Sequence, residues 1–321
     1  MSNPTGSSQP QGSKPEWVTF GGPGVDELMV NPAVMDAAAQ LLERIYDPVL
    51  VGNAPGLPTK KVTGTCRVCT AERQLTFEHL PPQSTGNKQR ARGGNSWQIL
   101  MQGANIGIPP RGWFSLQRGV GAHVLCGDCN SFCGRKYVPS YTEADQLIEQ
   151  AITSHARPTP TGPGYPGGIN LDFQGFLLGD IGRQAIAMLL AASGGGSLAR
   201  LHPELPDAVL NGGSDLGGLR LGLSLAFGDQ IRLSPPMVMG GKHGVTVFAE
   251  VAAAPFRWAL TWAGDGLVPL PGTVDVTHWL DIAPGDATAS EPLELSVGAI
   301  VSAAPGDMRD LATIQKQIRS Q

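Results

Sequence analysis

Apolar residues recur along this chain at two spacings, one helical and one strand-like. In residues 32–46, Val34, Ala37, Ala38, Leu41, Leu42 and Ile45 share a helical face, with Asn31 placed to cap it and Pro32 in its first turn. Ala144, Leu147, Ile148 and Ala151 predict a second helix over 142–152. A third and more apolar helix is predicted over 173–192, where Ser193-Gly194-Gly195-Gly196 breaks it. Downstream, residues 222–227, 244–252 and 256–262 are short, β-branched or alternating, and bounded by Gly, Pro and Asp, so they read as strands. Residues 308–319 predict a polar helix, and no internal repeat is evident.

The breaks between these patterns divide the chain. Residues 1–15, rich in Ser, Gly, Pro, Gln and Asn, have nothing to bury and read as a disordered tail. Residues 16–59 hold the first helix and a linker over 48–58, and a compact unit follows over 60–156. Residues 157–168 contain four prolines and four glycines and mark a boundary, after which 169–321 form a C-terminal α/β unit. A chain of 321 residues suffices for two such units, and 43 glycines with 27 prolines make it loop-rich. No basic stretch followed by an apolar run opens the sequence, and residues 176–192 carry Asp180, Arg183 and Gln184. A secretory signal and a membrane span are therefore not expected, and the cytoplasm is the expected compartment.

Charge changes the picture, because the formal net −4 hides a basic segment. Residues 60–140 hold eleven lysines and arginines against Glu72, Glu78 and Asp128 alone. Trp97, Trp113 and Phe114 are interleaved with them, which suits a phosphate backbone and stacked bases. A solvated basic face is the plainer alternative.

The same segment contains Cys66-x-x-Cys69 and Cys126-x-x-Cys129, separated by 56 residues. Each pair fits a tight turn with both sulfurs facing one metal, and two pairs complete the tetrahedron that zinc prefers. Without a secretory signal, zinc thiolates are expected rather than disulfides. Free thiols on two coincidental turns are the alternative, and Cys133 is a fifth thiol that could substitute as a ligand. His79, ten positions after Cys69, lies inside the loop that the metal would clasp.

Taken in order, Cys66-Arg67-Val68-Cys69, Phe77-Glu78-His79-Leu80-Pro81-Pro82 and Leu125-Cys126-Gly127-Asp128-Cys129-Asn130 resemble the zinc-bound form of the HNH endonucleases, or ββα-metal nucleases. The resemblance covers under a quarter of the chain. It implies an α+β protein in which a ββα-metal, treble-clef-like module precedes the mixed α/β C-terminal unit. It implies His79 as the general base that activates a water, since imidazole changes charge near neutral pH. Glu78 and Asn130 would supply oxygens to a catalytic magnesium or manganese, and the four-cysteine zinc would be structural, with no open position. Lys88, Arg90, Arg92, Arg118, Arg135 and Lys136 would contact nucleic acid, most naturally DNA.

Three departures from the family pattern stand out. Glu78 replaces the commoner Asp, Asn130 the commoner His, and no central Asn shortly precedes Cys126, where one often braces the catalytic loop. His123 could serve there as a brace or a phosphate contact. Asn130 has an alternative role as a helix cap, and His155 and His202 read as structural. The Ser193–Ser197 loop lacks the Lys-Ser/Thr ending and preceding strand of a phosphate loop. The rival functional reading is a non-catalytic, zinc-stabilised nucleic-acid-binding module. In either case the C-terminal unit would serve a partner protein or a homo-oligomer.

Overall fold

A computed structural model describes residues 18–20, 28–30, 40, 61–88, 91–93, 114–116, 118–155, 169–226, 231–241, 244–264, 267, 269–270 and 272–295. The expected tail, the linkers over 48–58 and 157–168, the helix over 308–319 and all but residue 40 of the helix over 32–46 lie outside them. Arg90 does too.

Two short antiparallel pairs stand apart from the main sheets: β1 (Val18–Phe20) with β2 (Leu28–Val30), before the first unit in sequence, and β5 (Ala91–Gly93) with β6 (Phe114–Leu116), within it. Its centre is an antiparallel sheet of order β3-β4-β7, formed by Thr63–Thr65, Glu72–His79 and Gly121–Cys126. Helix α1 (Gly127–Lys136) follows β7 directly, and α2 (Val138–His155) follows α1. The helix expected over 142–152 is thus one part of a longer one. Its joint with α1 is Tyr137, a fully buried residue whose hydroxyl donates to the Val209 carbonyl at 2.6 Å.

In the second unit β8 (Ile169–Asp172) pairs with β14 (Pro292–Leu295). Helix α3 spans Leu178–Ala192, starting later than expected because Gly175, at φ 81°, turns the chain first. Helices α4 (Ser197–Leu201) and α5 (Glu204–Asn211) lead to a sheet of order β10-β11-β12-β9-β13. Those strands are Arg232–Gly241, Gly244–Ala253, Phe256–Trp262, Leu219–Leu225 and Val274–Asp275. Every pairing in this sheet is antiparallel, which makes the protein α+β.

All residues of α3 are buried, so the helix expected from its apolar composition is the axis of the molecule. One continuous core takes in Cys66 and Val124 from the first unit, Ala185 and Leu189 from α3, and Leu221 and Trp258 from the large sheet. Trp258 Nε1 donates to the Tyr141 hydroxyl on α2 at 3.2 Å, linking sheet and helices across that core.

Two polar residues of α3 meet opposite fates. Arg183, fully buried, donates all five N–H groups to backbone carbonyls. Gln184 is 1% exposed, and neither its Oε1 nor its Nε2 has a hydrogen-bond partner among the described residues. A buried amide without partners costs on the order of 1–3 kcal/mol. Gln184→Met, of similar shape, is expected to raise the melting temperature by several degrees; an unchanged or lower one would contradict the dry, unpaired amide.

Candidate metal centre and active site

Strand β3 delivers Cys66 into a turn closed by Thr70 N–H to the Cys66 carbonyl and Cys66 N–H to the Ala71 carbonyl, both at 2.9 Å. Thr70 adopts φ 59°, the left-handed conformation that lets the chain reverse into β4. The second knuckle needs no separate turn, because Cys126 ends β7 at the N-cap of α1 and Cys129 lies in the helix's first turn. The pairing Leu75↔Cys126 then brings the knuckles together.

The four sulfurs lie within 4.8 Å of one another. Cys69 Sγ and Cys126 Sγ are 3.8 Å apart, and a tetrahedron of Zn–S bonds of about 2.3 Å has edges of about 3.8 Å. The cluster is close enough to hold a metal ion and is compatible with structural zinc. Cys126 N–H points at Cys66 Sγ at 3.3 Å, the backbone support a metal thiolate uses. A hydrogen bond from Cys129 draws the Cys66 thiol down to about 4, while Cys129 is itself pushed well up. Cys133 stands outside the group; burial first, then the Glu78 charge, pushes its thiol up to about 12.

The knuckle is seated on the end of α3. Arg67, 3% exposed, donates from Nη1 to the Ala191 carbonyl at 2.7 Å, and its backbone N–H bonds Val124 O. Burial lowers its guanidinium to about 10. Gly196, at φ 73°, abuts the same knuckle: a Cβ there would meet Thr65 Cγ2 at 3.4 Å and the Cys66 carbonyl at 3.6 Å. The glycine-rich loop is therefore a seat for the metal knuckle. On the outer side Arg73 pairs with Asp128, both exposed.

His79 ends β4. Its Nε2 lies 2.9 Å from the Arg118 carbonyl, which can only accept, so Nε2 carries the proton. In the neutral ring the lone pair is then on Nδ1, which makes no hydrogen bond among the described residues. Asn87 holds the surrounding loops, with Nδ2 donating to the Pro81 and Val120 carbonyls and Oδ1 accepting from Val120 N–H, all at 2.7 Å. Gly119 (φ 89°) is required beside it, since a Cβ would lie 2.3 Å from the Asn87 carbonyl oxygen. Asn87 thus ties the loop that follows His79 to the one that carries Arg118 and Val120. Sequence reading sought such a residue near Cys126 and missed one eight positions after His79; the Gly86-Asn87 turn was the available signal.

Strand alternation sets Glu78 on the face opposite His79. Its carboxyl is partly buried, and burial pushes it up to about 8. Asn130 does not cap α1: its Nδ2 donates to Thr76 Oγ1 and the Phe77 carbonyl, both at 3.0 Å, which leaves Oδ1 for another partner. A desolvated carboxyl and an amide oxygen are hard donors of the kind magnesium and manganese take, although only the four cysteines form a metal-ligand cluster among the described residues.

Of the other basic residues, Lys88 and Arg118 are exposed beside Asn87 and His79. Arg135 and Lys136 are exposed on the last turn of α1, with Lys136 over the Phe132 ring at 5.4 Å. Arg92 is on β5. His202, expected to be structural, bonds Glu204 Oε1 through Nδ1 at 2.9 Å and receives Trp262 Nε1–H on Nε2 at 3.3 Å. No described helix is long and apolar enough to cross a membrane. Neither family models, curated proteins nor solved structures match this chain.

Proposed function

We propose that this chain is a metal-dependent endonuclease of the HNH type that hydrolyses phosphodiester bonds in DNA. The observation that carries this reading is the His79 ring, whose Nε2–H is fixed on the Arg118 carbonyl so that Nδ1 stands as an acceptor. It sits on a strand whose partner runs directly into the helix that completes the four-cysteine centre. In the proposed reaction His79 Nδ1 takes a proton from water, whose oxygen bonds to phosphorus as one ester P–O bond breaks and its oxygen leaves with the electron pair. Asn87 keeps the ring in place by joining Pro81, two residues after it, to Val120, two residues after the Arg118 carbonyl that holds Nε2. Glu78 and Asn130 would hold magnesium or manganese, which supplies positive charge to the phosphate and the leaving oxygen. Zinc on Cys66, Cys69, Cys126 and Cys129 would be structural. Arg118, whose carbonyl holds the imidazole, and Lys88, next to Asn87, would meet the DNA backbone, with Arg92, Arg135 and Lys136 as further contacts.

The test is cleavage of supercoiled plasmid and single-stranded DNA with magnesium or manganese. His79→Ala, at equal zinc content, is expected to cleave slower by about 10²–10⁴-fold, and Asn87→Ala to lose activity while retaining the metal. A zinc-loaded protein that binds DNA but cleaves neither substrate would leave a nucleic-acid-binding module as the function.

A further inference from the structure

His123 is the second imidazole of this face; its sequence position allows a brace or a phosphate contact, and the reaction proposed above, on which this inference rests, gives it no step. In the β4–β7 register it stands opposite Phe77, while His79 stands opposite Gly121. Phe77 and His79 are two apart on one strand and so share a face. The Phe77 ring lies between the imidazoles, edge-on to His79 at 4.9 Å and to His123 at 5.4 Å. Gly121 makes this row possible: a Cβ there would lie 2.7 Å from Phe77 Cε1. His79 and His123 are thus held on one surface, separated by a single apolar ring.

The inner nitrogen of each imidazole sets what the outer one offers. For His79 the Arg118 carbonyl keeps the proton on Nε2, so the open nitrogen accepts. For His123 the inner nitrogen is Nδ1, which is buried and has no hydrogen-bond partner among the described residues. A buried N–H with nothing to donate to is costlier than a bare lone pair, so the proton belongs on Nε2. Nε2 is not enclosed and unpartnered in this way, and the residue as a whole is only half-buried. A purely structural buried histidine would ordinarily be bonded on the inside, as His202 is.

We propose that His123 is a phosphate-contacting residue, its Nε2–H donating to a non-bridging oxygen of the phosphodiester whose attacking water His79 deprotonates. The ligand class is a phosphodiester. The contribution is a hydrogen bond to charge that grows as the nucleophile adds, with no proton transferred by His123. A fixed donor of this kind is typically worth about 10²-fold in rate or more.

The test has a catalytic and a spectroscopic arm, both on the full zinc-loaded chain. His123→Phe keeps an aromatic ring and removes the donor, whereas His123→Gln places an amide N–H near the position of Nε2. Expected are plasmid cleavage slower by about 10² for His123→Phe, with DNA affinity little changed, and substantial recovery in His123→Gln. In the second arm the histidines carry ¹⁵N, and the His123 resonances are identified by their loss in His123→Gln. At neutral pH the shifts should report the Nε2–H form. Adding oligothymidylate, with no magnesium or manganese present, should move the Nε2 resonance. An Nδ1–H form, an unmoved Nε2, or a His123→Phe variant cleaving at the wild-type rate would overturn the proposal. Wild-type protein that cleaves nothing while oligothymidylate moves His123 Nε2 would sink the nuclease reading and uphold the phosphate contact. Cleavage that depends on His79 with a silent His123 would do the reverse.

Discussion

With zinc on the four cysteines as proposed, its removal is expected to unfold both halves of this protein in one transition. The first unit's sheet consists of three short strands, and Cys66, Cys126 and Cys129 occupy the position a hydrophobic centre would otherwise fill. Structural zinc in isolated fingers supplies about 10–16 kcal/mol of folding free energy, more than a typical domain's net stability of about 5–15 kcal/mol. The loss cannot stay local. Arg67 joins the knuckle to the Ala191 carbonyl at the end of α3, Tyr137 joins the α1–α2 joint to Val209, and Tyr141 joins α2 to Trp258. A strong chelator, or Cys66→Ser, should therefore abolish the thermal transition and shift the fluorescence of Trp258 and Trp279, which are buried far along the sequence from the cysteines. Unchanged tryptophan emission and a preserved melt after complete zinc release would mean that the C-terminal sheet folds independently of the metal.

Replacing Arg183 is expected to be nearly as damaging. Its Nε donates to Ala208 O at 3.1 Å, Nη1 to Gly179 O and Ile282 O at 2.9 and 3.0 Å, and Nη2 to Gly212 O and Leu280 O at 2.9 and 2.8 Å. Those carbonyls come from α3 itself, from α5 and the turn after it, and from the 3-10 turn Thr277–Asp281 with the residue that follows. One planar group therefore satisfies carbonyls from three segments at once. Arg183→Met would strand several buried carbonyls and cost about 3–5 kcal/mol, lowering the melting temperature by roughly 10 °C or more. Arg183→Lys should recover little, since an ammonium has three donors and cannot span the fork. A melt within a few degrees of wild type for Arg183→Met would show that the cage is dispensable.

What could be read in the sequence has a common physical origin, which is short range. The Cys-x-x-Cys turns, the apolar run of α3 and the strand Phe256–Trp262 each reflect geometry spanning a few residues, and each sits where its pattern places it. Contacts made across long separations were not legible. Asn87 braces Val120 across 33 positions and Arg67 reaches Ala191 across 124. The four prolines and four glycines of 157–168 read as a break between two units, yet residues on both sides of that stretch fill one core. Gly121 looks like an ordinary strand interruption in sequence, and only the pairing with β4 reveals that its missing side chain makes room for Phe77 between two imidazoles. By itself the sequence determined which side chains could bind a metal or act on a proton, because that follows from residue type and local spacing. Which nitrogen of each histidine is free, and what each knuckle rests on, only the tertiary structure decided, because hydrogen-bond partners are chosen by the chain's folding back on itself.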